Sequence, residues 1–465
     1  MVKLSKQLSV FAGITAALLF STPVYSTSHI INIDISVATD GSTPEAAVAN
    51  ALNETGGVCD TLSNTDTPTE DQRFLLGFCN DLSSAGEIGA GPAYTAVSAR
   101  SFTSINSYTA NSFTSFDIGD IAKRLASLRR SASISTKKSA SLFNSDSPSG
   151  LLSAIENPQQ LSEQLRGGGA SADETGGLND NRLSGFITGS FDDATQDETS
   201  TLAGYESSVN YLFAGMDYRF SNNIFAGIAF KTLSGDISLD QNTGAIDISD
   251  NSLSIYASYY NSENIYFQSA LTYGQSSYDI SRQIDFTLNT VDYNETAISN
   301  PEGNGLSFSL SSGYEHYFTG TGISTTTDIG LAYAKNDIDA FTEKAAQGFN
   351  LNVNEQSIES LTSKVGIQVS KAVSTSFGVL LPEFSAAWKH EFKTDGEEVI
   401  AAFAVDPDNA FSFTTDERVS DFFLLSVATS VVLPHGVMAF IQYESLLGID
   451  NYDRNTLNIG ARVEF

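Results

Sequence analysis

Residues 455–465 read NTLNIGARVEF, and this stretch decides the fold. Its residues fall into an apolar set and a polar or small set at alternating positions: Leu457, Ile459, Ala461, Val463 and Phe465 against Asn458, Gly460, Arg462 and Glu464. Because side chains alternate across a β-strand, the stretch predicts a strand with one apolar face and one polar face. The apolar face needs a second sheet or a lipid bilayer, and a polar face that stays wet inside a closed barrel favours the bilayer.

The same alternation recurs from Leu183 onward. We count twelve such segments of about ten to fifteen residues each. They start near Gly185, Val209, Ile224, Leu253, Ile265, Leu306, Ile323, Ile358, Val379, Phe422, Val437 and Thr456. In the ninth, Phe384 and Trp388 share one face while Ser385 lies on the other. The pattern predicts an all-β transmembrane barrel of twelve antiparallel strands over residues 183–465.

The connections between these segments alternate between short and long. The short turns are predicted at 221–223, 261–264, 319–322, 373–377 and 434–436. The long acidic loops are predicted at 192–207, 233–251, 277–305, 336–356, 393–420 and 447–453. Short turns at one end, long loops at the other and an even strand count are typical of bacterial outer-membrane barrels. Aromatic residues beside the short turns predict an interfacial girdle: Tyr218, Phe220, Tyr259, Tyr260 and Phe318.

Composition excludes one class of partner. The chain of 465 residues carries a net charge of -31, with 55 acidic residues against 24 basic ones. A phosphate backbone would be repelled by this surplus of carboxylates, so we expect no nucleic-acid partner.

The amino terminus predicts an export signal over residues 1–26. Lys3 and Lys6 precede an apolar run at 8–20, and cleavage is expected after Ser26. The alternative, an N-terminal membrane anchor, needs a run of roughly 20 residues, and this run is shorter.

Residues 27–147 predict a small, mainly helical region, with helices at 44–52 and about 70–82. Cys59 and Cys79 are the only cysteines of an exported chain, which favours a disulfide between them; two buried free thiols are the alternative. An amphipathic basic helix is predicted over 116–130, either held against an acidic surface or solvated. Residues 148–182 predict a further helix at 151–165 and a Gly-rich linker.

Five phrases together resemble one known family. They are AGMDYRF at 214–220, GYE at 313–315, FTE at 341–343, WKHEF at 388–392 and NIGARVEF at 458–465. In order and spacing they resemble the translocator barrel of the autotransporters, the type V secretion proteins of Gram-negative bacteria. The resemblance implies a single-chain monomeric barrel in the outer membrane, surrounded by lipid and lipopolysaccharide. It also implies periplasmic chaperones and a barrel-assembly machinery that reads Phe465.

The resemblance further implies an N-terminal passenger delivered to the cell surface, here residues 27–147, and a helix in the pore. That helix would be 151–165 or, as the alternative, 118–130. Charged residues on the predicted inward face could hydrate a translocating chain or merely pair with one another: Lys231, Glu315, Glu383, Lys389, Glu391, Arg462 and Glu464.

The sequence contains no Gly-x-Ser-x-Gly elbow and no Gly-Asp-Ser-Leu block. His29 is the only histidine of the exported region before the barrel, so a serine-hydrolase triad would have to use it. His390-Glu391 lacks the second histidine of a zinc helix. The calcium-like run at Asp406 and Asp408 has Phe411 where a turn glycine is needed. We therefore expect no enzyme, cofactor or metal site.

Three functional hypotheses follow. The first is an outer-membrane translocator that displays or secretes its own short passenger. The second is a surface adhesin acting through a retained passenger and the acidic loops. The third is a passenger hydrolase.

Overall fold

The computed structural model describes residues 43–112 and 182–464, apart from 222, 262–263, 319 and 434–436. The helices are α1 (Pro44–Asn53), α2 (Val58–Ser63), α3 (Glu70–Val97) and α4 (Arg100–Ser112). The strands are β1 (Leu183–Gln196), β2 (Tyr205–Arg219), β3 (Ile224–Leu239), β4 (Gly244–Tyr260), β5 (Ile265–Leu288), β6 (Val291–Ser299), β7 (Glu302–Phe318), β8 (Ile323–Ile338), β9 (Phe341–Thr342), β10 (Leu351–Val353), β11 (Gln356–Lys371), β12 (Val373–Ser374), β13 (Val379–Glu391), β14 (Glu398–Phe403), β15 (Phe411–Thr414), β16 (Asp421–Val432), β17 (Val437–Leu447) and β18 (Tyr452–Glu464).

Twelve long strands close into one antiparallel barrel, which confirms the predicted fold class. Their order around the sheet is β11, β8, β7, β5, β4, β3, β2, β1, β18, β17, β16 and β13, and β13 pairs back to β11. The first and last strands meet over their whole length, with Ser184 opposite Glu464 and Gln196 opposite Tyr452. The C-terminal strand therefore pairs with β1 and completes the barrel.

The barrel wall follows the predicted parity. Ile228, Ile255 and Ile329 are each half exposed or more on the outer face, as expected of side chains that meet lipid. On β18 the side chain of Ile459 points outward while Asn458 is buried inside. Four of the five predicted girdle aromatics point outward, but Tyr260 is buried, because it lies one position further along β4 than Tyr259 and takes the inward parity.

The long connections are mostly folded, which corrects the prediction of loops. β3, β4 and β5 run on past the apolar band as paired strands, and β6 folds back onto β5. The segments 339–355 and 393–420 contribute β9, β10, β14 and β15, which form a separate four-stranded sheet. Polar and apolar residues alternate in these segments as they do in the barrel wall. Their polar composition alone therefore does not distinguish a loop from a strand.

The helical prediction was partly confirmed. Thr43 caps α1, its Oγ1 accepting from the Ala46 N–H at 3.2 Å. The disulfide between Cys59 and Cys79 is present, joining α2 to α3 across a sequence separation of 20; by the chain-entropy model a loop of that size contributes about 3 kcal/mol. The helix predicted at 70–82 continues to Val97, and α4 was missed. The helices predicted at 116–130 and 151–165, the linker, residues 1–26 and Phe465 lie outside the described residues.

The four helices form a layer that we call the cap, residues 43–112. α1, α2 and α3 pack on one another, and α1 also packs on β15. Among the described residues, no helix is both long and apolar enough to cross a membrane.

Candidate functional site

The cap sits on the end of the barrel opposite the short turns, and we call this end the mouth. Its side chains contact the β1–β2 connection, the β5–β6 hairpin and the connection between β14 and β15, among others. Gln72 Nε2 donates to Val405 O at 3.2 Å, and Asn409 Nδ2 donates to Thr61 Oγ1 at 3.2 Å. The cap and the hairpins of the mouth are therefore one packed unit.

Helix α4 enters the ring of strands. Its Thr103 and Ser104 hydroxyls donate to the carbonyls of Thr201 and Ala203, both at 2.8 Å. On another side, Asn106 Nδ2 donates to Gln356 Oε1 at 3.0 Å. Because α4 contacts both the β1–β2 connection and β11, the helix lies inside the mouth between them.

An aromatic cluster joins the cap to two barrel segments. It consists of Phe74, Phe78, Phe286, Tyr293 and Phe349. Phe78 from α3 is fully buried and lies edge-on to Phe349, with ring centroids 5.0 Å apart. Such edge-to-face pairs add about 0.5–1.5 kcal/mol to the free energy of burial.

The approach of α3 to the turn before β10 depends on a missing side chain. A Cβ on Gly348 would lie 2.6 Å from the Asp71 carbonyl oxygen and 2.8 Å from the Leu75 Cβ. Nearby, Tyr293 Oη donates to Asp81 Oδ2 at 2.7 Å and Asn289 Nδ2 donates to Asp81 O at 3.0 Å. Backbone, ring and hydrogen-bond contacts all hold α3 against the hairpins.

A buried ion pair lies below the aromatic cluster. Arg282 donates from Nε to Glu343 Oε1 at 2.9 Å and from Nη2 to Glu343 Oε2 at 2.6 Å. It also donates to the carbonyls of Ala96 in α3, at 3.2 Å, and Phe349, at 2.9 Å. Bidentate pairs of this kind are strong and geometrically specific.

A second buried arginine lies on β18. Arg454 Nε donates to Asp192 Oδ2 at 2.8 Å, and both side chains are about 2 % exposed. Its Nη1 donates to the Asn111 carbonyl of α4 at 3.2 Å. The strand pair that closes the barrel thus also contacts the cap.

The third arginine belongs to the cap. Arg100 of α4 pairs with Glu198 of the β1–β2 connection at 2.7 Å and with Glu45 of α1 at 3.5 Å. Burial raises the pKa of the Glu45 carboxyl, an effect that the Arg100 charge only partly offsets. The Glu45 carboxyl at this junction therefore takes up a proton more readily than a solvent-exposed glutamate does.

An acidic cavity of about 330 Å³ remains between α4 and the β13–β16 connection. Its lining includes Glu391, Glu397, Asp416, Glu417 and Arg418. Desolvation raises the pKa of Glu397, against the opposing charge of Arg418. No cluster with the makings of a metal site occurs among the described side chains.

The inward residues predicted from sequence lie at several heights in the barrel. Lys231, Glu315, Glu391 and Arg462 are buried, and Glu383 and Lys389 are partly buried. Lys231 Nζ lies 3.8 Å from Asp250 Oδ1, and Glu391 accepts from Ser360 Oγ at 2.6 Å. Glu464 ends β18, and its side chain lies outside the described part.

The arginine contacts at the mouth were missed by sequence reasoning. Arg282 is the only lysine or arginine between residues 232 and 334, and it falls on the buried parity of β5. A lone cation on the buried face of an acidic hairpin indicates a buried ion pair, because an unpaired charge is costly to bury. Its partner, Glu343, could not be found, because it lies on a different connection.

The sequence model of the autotransporter β-domain family matches residues 185–444. Outer membrane protein A of Rickettsia conorii is 25% identical over 296 residues, which cover 62% of this chain and 14% of that protein. The protein of the same name from Rickettsia rickettsii is also 25% identical, over 62% of this chain and 13% of its own length. The chain thus spans only a small part of these curated relatives.

Two solved structures can be set beside the fold. The translocator domain of the autotransporter NalP from Neisseria meningitidis aligns with a TM-score of 0.49 at 15% identity, covering 68% of this chain and 98% of that one. The β-domain of the Bordetella autotransporter BrkA aligns with a TM-score of 0.46 at 15% identity, covering 61% and 100%.

An apolar outer wall, a polar interior and a sheet closed by its own last strand define an outer-membrane β-barrel. The chain belongs to the autotransporter β-domain family. Its barrel is an outer-membrane translocator, and this family domain serves transport rather than catalysis. Because barrels of this kind carry short periplasmic turns and longer extracellular hairpins, the mouth is the extracellular end.

Proposed function

We propose that this translocator carries its own N-terminal region to the cell surface and keeps it there as a folded cap. One observation supports display without release: Phe74 and Phe78 of the cap share a buried aromatic core with Phe286, Tyr293 and Phe349 of the mouth. A passenger that is released would leave this apolar surface in water. Burial of a phenylalanine side chain is worth about 1.5–3 kcal/mol, so separation would be costly.

The same proposal assigns roles along the chain. Residues 1–26 act as the export signal, 27–147 as the passenger, 148–182 as pore helix and linker, and 183–465 as the translocator. Lys231, Glu315, Glu383, Lys389, Glu391, Arg462 and Glu464 line the path of the passenger. Periplasmic chaperones and the barrel-assembly machinery bring the chain to the membrane, with Phe465 as the assembly signal, and the cap acts without catalysis.

Surface proteolysis with fractionation tests the proposal. Intact cells are treated with a protease, and antibodies against residues 43–112 are used on cells and on medium. We expect the cap epitope to stay with untreated cells and to be lost only from the outside. Cap epitope in the medium of untreated cells would show release, and an epitope protected in intact cells but cleaved after permeabilisation would show a periplasmic location.

A matched variant separates retention from general stability. Phe78→Ala removes the central ring of the shared core, whereas Phe308→Ala removes a ring of similar size from the lipid-facing wall, where Phe308 is half exposed. We expect Phe78→Ala to make the cap sensitive to protease at the surface while the barrel stays folded. Equal sensitivity of the two variants would argue against a shared core.

A further inference from the structure

Helix α3 ends without a cap that satisfies its final carbonyls. The last four C=O groups of any helix lack a partner within the helix. Here the residue after the helix, Ser98, is extended, and both its N–H and its Oγ go to the Thr95 carbonyl. The last turn also has no basic residue to oppose the negative end of the helix dipole.

The barrel supplies a positively charged hydrogen-bond donor to the C-terminal turn of α3. Arg282 Nη1 donates to the Ala96 carbonyl, in the last turn of the helix, at 3.2 Å. The guanidinium is held in place by Glu343 on one side and the Phe349 carbonyl on another, and its side chain is about 2 % exposed. A fixed, dry positive charge at a helix C-terminus is the arrangement in which the dipole interaction is strongest.

Arg454 donates to a backbone carbonyl of α4. Its Nη1 donates to the Asn111 carbonyl at 3.2 Å. α4 is rich in Ser, Thr and Asn, which are poor helix formers because their side chains compete for backbone groups. In the structure Thr103 and Ser104 donate instead to barrel carbonyls.

We propose that Arg282 is a helix-capping receptor, which recognises the C-terminal turn of α3 by the Ala96 carbonyl, and that Arg454 docks α4 at the same mouth by the Asn111 carbonyl. The inference rests on the proposed retention of the cap at the mouth. It gives the extracellular hairpins a task during export, since α3 completes its last turn only after reaching the Arg282 guanidinium group. The mouth is a folding template for the passenger as well as its anchor.

The guanidinium geometry separates this role from simple charge pairing. Glu343 takes the Nε and Nη2 donors of Arg282, which leaves Nη1 directed at Ala96. A lysine carries the same charge but has a single nitrogen, so it can hold the carboxylate or the helix carbonyl but lacks the planar fork that reaches both. Arg→Lys therefore removes the cap contact while leaving a countercharge for the buried carboxylate.

The test is amide hydrogen exchange on the full chain in detergent, resolved by mass spectrometry, for Arg282→Lys and Arg454→Lys. Exchange is expected to rise about tenfold in the last turn of α3 in the first variant and in the turn of α4 around Asn111 in the second, with the barrel strands unchanged. Lys393→Gln is the control, since it removes an exposed ion pair between the β13–β16 connection and Glu359 of β11, with neither residue in contact with Ala96 or Asn111. It should change neither helix.

Each outcome is decisive. Wild-type exchange in both helices of both variants would show that the arginines serve the barrel alone and would overturn the inference while leaving the cap in place. Fast exchange throughout 43–112 in the wild type would instead overturn the proposed retention. Should Arg282→Lys impair barrel assembly, the pair Arg282→Gln with Glu343→Gln leaves no unpaired buried charge, and the same loss in α3 is expected from it.

Discussion

The barrel wall and the cap reach stability by different routes. In the wall, each strand presents apolar side chains outward with period two, and the bilayer covers them. In the cap, α3 and α4 complete their core only with rings and guanidinium groups from the barrel. The wall depends on lipid, whereas the cap depends on the wall, so damage to the cap should leave the barrel folded.

The largest expected effect concerns the shared core. Phe78→Ala removes a fully buried ring and should lower the free energy of unfolding of the cap by about 3–5 kcal/mol. Urea titration of the detergent-solubilised protein, followed by protease sensitivity of residues 43–112, measures this loss. Heat-modifiable gel migration of the barrel should stay unchanged, and joint loss of both would contradict the distinction between wall and cap.

The disulfide should come next. Cys59→Ser with Cys79→Ser opens the link between α2 and α3 and should destabilise the cap by about 3 kcal/mol. The same urea titration provides the measurement, with dithiothreitol-treated wild type as the matched comparison. A fall in the stability of the barrel, with the stability of the cap unchanged, would contradict the separate stabilisation of cap and wall.

A charge on the lipid-facing wall should destabilise the barrel and leave the cap unaffected. Ile228→Arg places a cation on the outer wall of β3, where it should cost about 2 kcal/mol in bilayers while sparing the cap. Ser238→Arg lies on the same face of the same strand, in the extension beyond the apolar band, and is the control. Equal costs at the two sites would mean that the extension also lies in lipid.

The smallest expected effect is on pH dependence. Burial raises the pKa of Glu45 above its unfolded value, so the native cap binds a proton more readily than the unfolded chain. Stability should therefore fall as pH rises from the unfolded pKa, near 4.5, through the higher native one. Glu45→Gln should flatten this slope in urea titrations at several pH values. A steeper slope in the variant would contradict the assignment.

The barrel could be predicted from the sequence because its signal is local. Residues such as Asn458 and Ile459 reveal their faces through their neighbours, and all twelve predicted strands are present. The extension of β3 to β5 was missed, because Asp236 and Asp247 look like loop residues although they pair across strands. Acidic residues on an exposed strand face are compatible with pairing, so polarity alone does not end a strand.

The cap was harder to predict because its stabilising contacts are remote in sequence. α4 has the spacing of Phe102, Ile105 and Tyr108, but its Ser, Thr and Asn content argues against a helix. Its partners, Thr201 and Ala203, lie far along the chain. Arg282 and Glu343 are joined only by the barrel geometry, which no periodicity in either segment reports.

The most direct test of a jointly built cap is a cross-link between the two regions in living cells. Thr61 and Asn409 are in side-chain contact across the junction at 3.2 Å. Thr61→Cys with Asn409→Cys should form a disulfide at the surface of intact cells, mapped by mass spectrometry of the linked peptides, and adding Phe78→Ala should reduce its yield. Two surface-labelled cysteines that never cross-link would contradict the account.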